Sequence, residues 1–125
     1  MQPSKRLRIV VRPRIRVLCD DEIVMGPGKA ELLAHIAETN SLSESARRMK
    51  MSYMKTWSLV QTMNRSYRRP LVHAERGGKR GGGACLTRYG ERVLAFYHEM
   101  ETLSLAAMRE PWRKLRRMLR VAPLD

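Results

Sequence analysis

Ser41 and Ser52 divide the middle of the chain into a short run and a longer one, and they restrict the fold more than any other feature. Ser41 stands ahead of Glu44 at the spacing of a capping box, in which the two side chains satisfy backbone donors at a helix start. Leu42, Ala46 and Met49 follow at helical spacing, with Arg47, Arg48 and Lys50 on the other faces. The pattern stops at Lys50-Met51. Ser52 then heads a second helix whose apolar side is Tyr53, Trp57, Val60 and Met63. A short helix with small and basic residues, a tight turn and a longer helix with a polar start make the pattern of a helix-turn-helix. In that motif the first helix crosses a phosphate backbone, and the first turns of the second meet base edges in the major groove. Two core helices of any small helical domain show the same local pattern, so the rest of the chain decides between them.

Lysine and arginine number 25 against 12 aspartates and glutamates, a net charge of +13. Such a field attracts polyanions over about a Debye length, nucleic acid first and an anionic membrane surface second; solvated charge without a partner is the third option. The 125 residues suffice for one domain with a modest core. No apolar run reaches the ~18 residues needed to cross a bilayer. Ile9-Val10-Val11 is cut off by Arg12-Pro13-Arg14, so no signal peptide is expected, and the protein reads as cytoplasmic.

Cys19 and Cys85 lie far apart, outside any C-x-x-C pair, and His35, His73 and His98 show no ligand spacing. No metal and no cofactor are expected, and both cysteines read as small buried or half-buried hydrophobes. His35 is expected at the edge of a helix face. Asp20-Asp21-Glu22 is the one dense acidic group and reads as a solvated turn, so no enzyme is expected.

Residues 1–13 are basic, with Leu7-x-Ile9-x-Val11 suggesting either an extra strand or a loose basic arm. Ile15-x-Val17-x-Cys19, the acidic turn and Ile23-Val24-Met25 predict a β-hairpin, which Gly26-Pro27-Gly28 ends. A helix is expected from Lys29 to Glu38 with Leu32, Leu33, Ile36 and Ala37 inward, ending at Thr39-Asn40. Pro70 is expected to stop the second helix of the central motif.

Leu71-Val72-His73-Ala74 and Ala84-Cys85-Leu86 read as paired strands around Glu75-Arg76-Gly77-Gly78-Lys79-Arg80-Gly81-Gly82-Gly83. A hairpin of glycines and cations after the second helix has the composition of a wing. Glycines let backbone come close to sugar-phosphate, and Arg76, Lys79 and Arg80 offer cations to phosphates or a narrow minor groove. The tract lacks the G-x-x-x-x-G-K-[ST] spacing of a nucleotide loop. A flexible solvated hairpin is the plainer alternative.

Thr87 is a suitable N-cap for a last long helix, with Glu91 in its first turn. Tyr89, Val93, Phe96, Met100, Leu103 and Ala107 recur at alternating spacings of four and three, a near-heptad stripe ending before Pro111. One small domain does not cover both sides of so long a helix, and a dimer through Val93, Phe96, Met100, Leu103 and Ala107 is expected; closure of the monomer core is the alternative. Beyond Pro111, Trp112, Leu115, Met118 and Leu119 alternate with cations in a basic amphipathic tail, either a docking helix or a frayed end. The expected division is an arm at 1–13, a winged domain with its dimerisation helix at 14–110 and the tail at 111–125.

The run from 36 to 53, I-A-E-T-N-S-L-S-E-S-A-R-R-M-K-M-S-Y, with Trp57, Met63-Asn64, Pro70-Leu71-Val72 and above all G-G-K-R-G-G-G-A-C-L-T-R-Y-G at 77–90, resembles the N-terminal DNA-binding domain of the ModE family of molybdate-responsive regulators. That domain is a winged helix-turn-helix related to the one in LysR-type regulators. The resemblance implies a mainly helical α+β fold with an N-terminal β-hairpin, a glycine-rich wing and a long C-terminal dimerisation helix. It also implies a homodimer on double-stranded DNA, and it carries over Ser52, Tyr53, Lys55 and Thr56 in the recognition helix and Gly77 to Gly83 in the wing. Trp57 matches a family tryptophan but lies on the apolar side.

On this reading Ser52, Tyr53, Lys55 and Thr56 address base edges, with Ser58 and Gln61 next along the exposed face. Arg47, Arg48, Arg65, Arg68 and Arg69 contact phosphates. The wing acts through Arg76, Gly77, Gly78, Lys79, Arg80, Gly81, Gly82 and Gly83. Relatives resemble S-Y-K-x-A-W where this chain has S-Y-M-K-T-W, so the sequence read is expected to differ. Family members of full length carry C-terminal molybdate-binding domains that nothing after Ala107 resembles. The chain is therefore expected to be a single-domain form, and no oxyanion ligand carries over. A non-specific nucleic-acid binder and a dimerising partner of another regulator remain open.

Overall fold

The structure, a computed structural model, describes residues 8–75 and 83–120, and its contacts divide these into two units. The larger unit runs from Arg14 to His98 and the smaller joins 8–13 to 99–120.

In the larger unit, β1 (Val17–Cys19) and β2 (Glu22–Met25) pair antiparallel around Asp20-Asp21, with an irregularity between Val17 and Leu18. Glu22 is thus the first residue of a strand and pairs with Cys19, not part of the turn. Asp20 takes the left-handed conformation that short polar side chains tolerate in tight turns. Most of the hairpin is exposed; only Met25 joins the core. Two phenols hold it instead. Tyr97 Oη donates to the carbonyl of Ile15 at 2.7 Å, and Tyr67 Oη donates to that of Val24 at 2.9 Å. Both cysteines are exposed, contrary to the reading of them as buried hydrophobes: each sits on a two-stranded ribbon with an open face.

Helix α1 (Pro27–Thr39) begins earlier than expected, because Pro27 occupies its first position, where the missing N–H costs nothing. Ala30, Leu32, Leu33 and Ile36 are buried, and Asn40 closes the helix in the left-handed region, its N–H donating to Ile36. His35 is half-buried, and its Nε2 lies 3.6 Å from Glu31.

Helix α2 (Leu42–Met49) and helix α3 (Tyr53–Ser66) form the expected helix-turn-helix. The turn between them is a Schellman arrangement: Met51 N donates to Ala46 O at 3.0 Å and Lys50 N to Arg47 O at 3.1 Å. Lys50, with φ of 56°, takes the position usually given to glycine. Half of the capping box forms. Ser41 Oγ accepts from Glu44 N at 3.0 Å, but Ser41 N donates to Thr39 Oγ1, and the Glu44 carboxylate turns to Arg47 and Arg48.

Helix α3 ends at Ser66, ahead of Pro70. Strands β3 (Val72–Ala74) and β4 (Ala84–Leu86) then pair antiparallel, Val72 with Leu86 and Ala74 with Ala84. Asn64 clamps the end of α3 to β3: its Oδ1 accepts from Leu71 N and Val72 N, and its Nδ2 donates to Val72 O. Helix α4 (Arg88–Ala107) starts at a crowded corner. Thr87 Oγ1 caps it through Gly90 N at 2.9 Å and donates to Pro70 O at 2.7 Å. A Cβ on Gly90 would stand 2.0 Å from the carbonyl oxygen of Leu71. Only glycine passes there, which gives T-R-Y-G a mechanical meaning.

In the smaller unit, α4 breaks at Met108, and α5 (Arg109–Arg117) begins before Pro111, which sits in its first turn. The expected start beyond Pro111 is therefore corrected: a proline in the first turn forfeits no helical hydrogen bond. Residues 8–13 form no strand. Val11 lines an apolar cleft of about 200 Å³ with Met108, Pro111, Trp112 and Leu115. Among the described residues, no helix is long and apolar enough to cross a membrane.

Candidate nucleic-acid interface

The outward face of α3 follows from its buried one. Thr56, Val60 and Met63 are completely buried. Tyr53 and Trp57 are half-buried against the core. What remains outward in the first two turns is Met54, Lys55 and Ser58, below Ser52, whose Oγ caps the helix by accepting from Lys55 N at 3.1 Å. Gln61 continues the row half-exposed.

Thr56 corrects the expectation of a base contact. Its side chain has no exposed surface, and its hydroxyl donates to Ser52 O at 2.9 Å. The sequence carries a signal for this: Thr56, Val60 and Met63 keep the spacing of one helix face, and a threonine can enter a core by giving its hydroxyl to the carbonyl one turn back. Tyr53 offers only part of its ring to solvent. Met54, in the sequence no more than a departure from a motif, is exposed, as is Lys50 in the turn just before Ser52.

The cations fall into two groups. Arg47 and Arg48 at the end of α2 are held by acids. Arg47 binds the Glu44 carboxylate through Nε at 3.0 Å and through Nη2; Arg48 lies 3.2 Å from Glu38 and 3.6 Å from Glu44. The hydrogen bond from Arg47 holds the Glu44 carboxyl below its usual range and raises Arg47 in turn. These pairs are exposed, where such contacts are weak and exchangeable. Arg65, Arg68 and Arg69 are exposed, and among the described residues they form no ion pair. Arg65 also lines a cleft of about 400 Å³ with Cys19, Glu22, Val24, Thr62 and Ser66, which places it on the hairpin side of α3.

The wing root is tied to the helix-turn-helix. Glu75 N donates to Gly83 O at 2.9 Å, Ser41 bridges Gly83, and Ala84 N donates to Asn40 O at 3.3 Å. Arg76, Gly77, Gly78, Lys79, Arg80, Gly81 and Gly82 lie outside the described residues. Among the described residues, nothing stands within 4 Å of where a Cβ on Gly83 would lie.

Along α4, Val93 is half-buried against the core, so it does not belong to an outward stripe. Phe96, Met100, Leu103 and Ala107 are exposed, Phe96 and Leu103 by 57% and 61%.

No protein-family model matches the chain. It is 46% identical over 77 residues to the molybdenum-pterin-binding protein MopB of Rhodobacter capsulatus, covering 62% of this chain and 28% of that protein. It is 42% identical over 71 residues to the DNA-binding transcriptional dual regulator ModE of Escherichia coli strain K12, covering 57% of this chain and 27% of ModE. The chain thus spans less than a third of the length of these relatives, and over that span it resembles ModE-type regulators, as the motifs imply. Among solved structures, a point mutant of ZitR from Lactococcus lactis matches with a TM-score of 0.51 at 16% identity, over 89% of this chain and 73% of ZitR. The arrangement of helix-turn-helix, two-stranded wing root and long following helix is a winged-helix fold.

Proposed function

We propose that the chain is a DNA-binding transcriptional regulator of the ModE type, which grips duplex DNA as a two-fold homodimer in the cytoplasm. The outward start of α3 carries this reading: Lys55 and Ser58 point outward just after the capping Ser52, on a chain similar to a protein named as a DNA-binding regulator. In the proposal α3 enters the major groove, where Lys55 and Ser58 meet base edges with Ser52 and Gln61 beside them. Arg68 and Arg69, in no ion pair among the described residues, take phosphates. Arg47 and Arg48 do so by exchanging Glu44 and Glu38 for the backbone. The glycine-rich tip lies along phosphates or the minor groove. The apolar row Phe96, Met100, Leu103 and Ala107 joins two copies. No molybdate site is part of the proposal.

The net charge of +13 favours a second reading, sequence-independent binding to nucleic acid. Selection of random duplexes at physiological salt, followed by titration of enriched and random sequences, separates the two. A strong preference supports the regulator, and an affinity ratio near one supports non-specific binding. Lys55→Ala then discriminates by position, whereas Arg68→Ala weakens all sequences alike and lowers the salt slope by about one. Sedimentation of Leu103→Glu against the parent chain tests the dimer. A parent that sediments as a monomer at micromolar concentration defeats it.

A further inference from the structure

We propose that Met54 reads a thymine methyl group and so sets part of the sequence preference of α3, an inference that rests on α3 being the groove-facing helix. Met54 is 56% exposed, and it alone among the large hydrophobic residues of α3 lies open to solvent. A single exposed apolar side chain is ordinary on a protein surface. Its position is what gives this one meaning. With Thr56 turned into the core and Tyr53 half-covered, Met54 shares the outward surface of the first two turns with Lys55 and Ser58 only.

Helix geometry puts Met54 in one row with Ser58, Gln61 and Arg65, successive turns of the same face. The other three are polar, so the apolar end of the row is the end that leads into a groove. The major groove presents one apolar feature, the C5 methyl of thymine. An unbranched, polarisable thioether adapts to such a target without demanding a fixed geometry. A methionine there also has no donor with which to hold guanine, so it favours thymine by burial and penalises a base edge whose polar groups it leaves unpaired.

The test starts from the duplexes that the full chain enriches out of a random library. Each thymine of the enriched site is replaced in turn by deoxyuridine, which lacks the C5 methyl. At one thymine position the replacement is expected to weaken binding about threefold to fivefold, the worth of one buried methyl. Met54→Ala shows that loss on the thymine duplex already and gains no further loss from deoxyuridine. Met54→Leu keeps the sensitivity. If no replacement matters, or if Met54→Ala responds to deoxyuridine as the parent does, Met54 is not the reader while the DNA-binding reading stands. If no sequence is enriched, that reading fails and this one with it.

Discussion

Two antiparallel ribbons of nearly equal size are held in opposite ways. The hairpin β1–β2 leaves Val17, Leu18 and Ile23 exposed, commits only Met25 to the core and is fastened by two phenol-to-carbonyl hydrogen bonds from Tyr67 and Tyr97. The root β3–β4 buries Val72 and Ala84 and is locked by Asn64, Thr87 and the contact of Gly90 with Leu71. The second ribbon has its backbone fixed at more points than the first. Local unfolding should therefore reach the first ribbon well before the second.

The largest effect should come from the glycine corner. Gly90→Ala forces a methyl into the Leu71 carbonyl, and overpacking against backbone costs about 3 kcal/mol or more. Urea denaturation measures it; a cost below about 1 kcal/mol would mean the corner yields, and the contrast between ribbons would shrink. Asn64→Ala follows. It strips two amides and one carbonyl of their partner and should cost about 2 kcal/mol, with faster amide exchange in β3 than in β1.

The phenols come next, at about 1 kcal/mol each for Tyr97→Phe and Tyr67→Phe. Tyr67 adds a dependence on pH. Burial, with Tyr89 adding to it, raises its hydroxyl above the usual value of 10.0. The fold holds the neutral phenol more tightly than the unfolded chain does, so this contribution is intact below about pH 10 and fades as pH rises beyond it. Alkaline titration of stability should be shallower for Tyr67→Phe than for the parent. The smallest effect is a gain. Lys50→Gly relieves a left-handed lysine in the turn before α3 and should stabilise by at most about 1 kcal/mol in thermal melts.

What can be read ahead of the structure is what is decided locally. Ser41, Ser52 and Thr87 cap the helices they are expected to cap, since a hydroxyl one turn before a free amide needs no distant partner. The winged fold and both hairpins also follow from local pattern. Sequence and structure part where tertiary contact decides. Thr56 reads as a polar surface residue until the burial of Val60 and Met63 fixes the helix phase. Val93 packs half-buried against the core although it stands in the same heptad as the exposed Phe96. Pro27 and Pro111 both read as breaks, and each proves to lie in a first turn, because proline excludes a helix interior but not its start. The clamp made by Asn64 has no signature short of knowing that Leu71 lies beside it.

The ties of Asn40 and Ser41 to Ala84 and Gly83 have a consequence for how such a hairpin can vary. They hold the ribbon at its outer described end, where Ala74 pairs with Ala84 and Glu75 with Gly83, next to the start of α2. A change in the number of residues between Glu75 and Gly83 would therefore leave the pairing of β3 with β4 and its hold on the start of α2 in place, so the length of that connection and the alignment of the strands can vary independently.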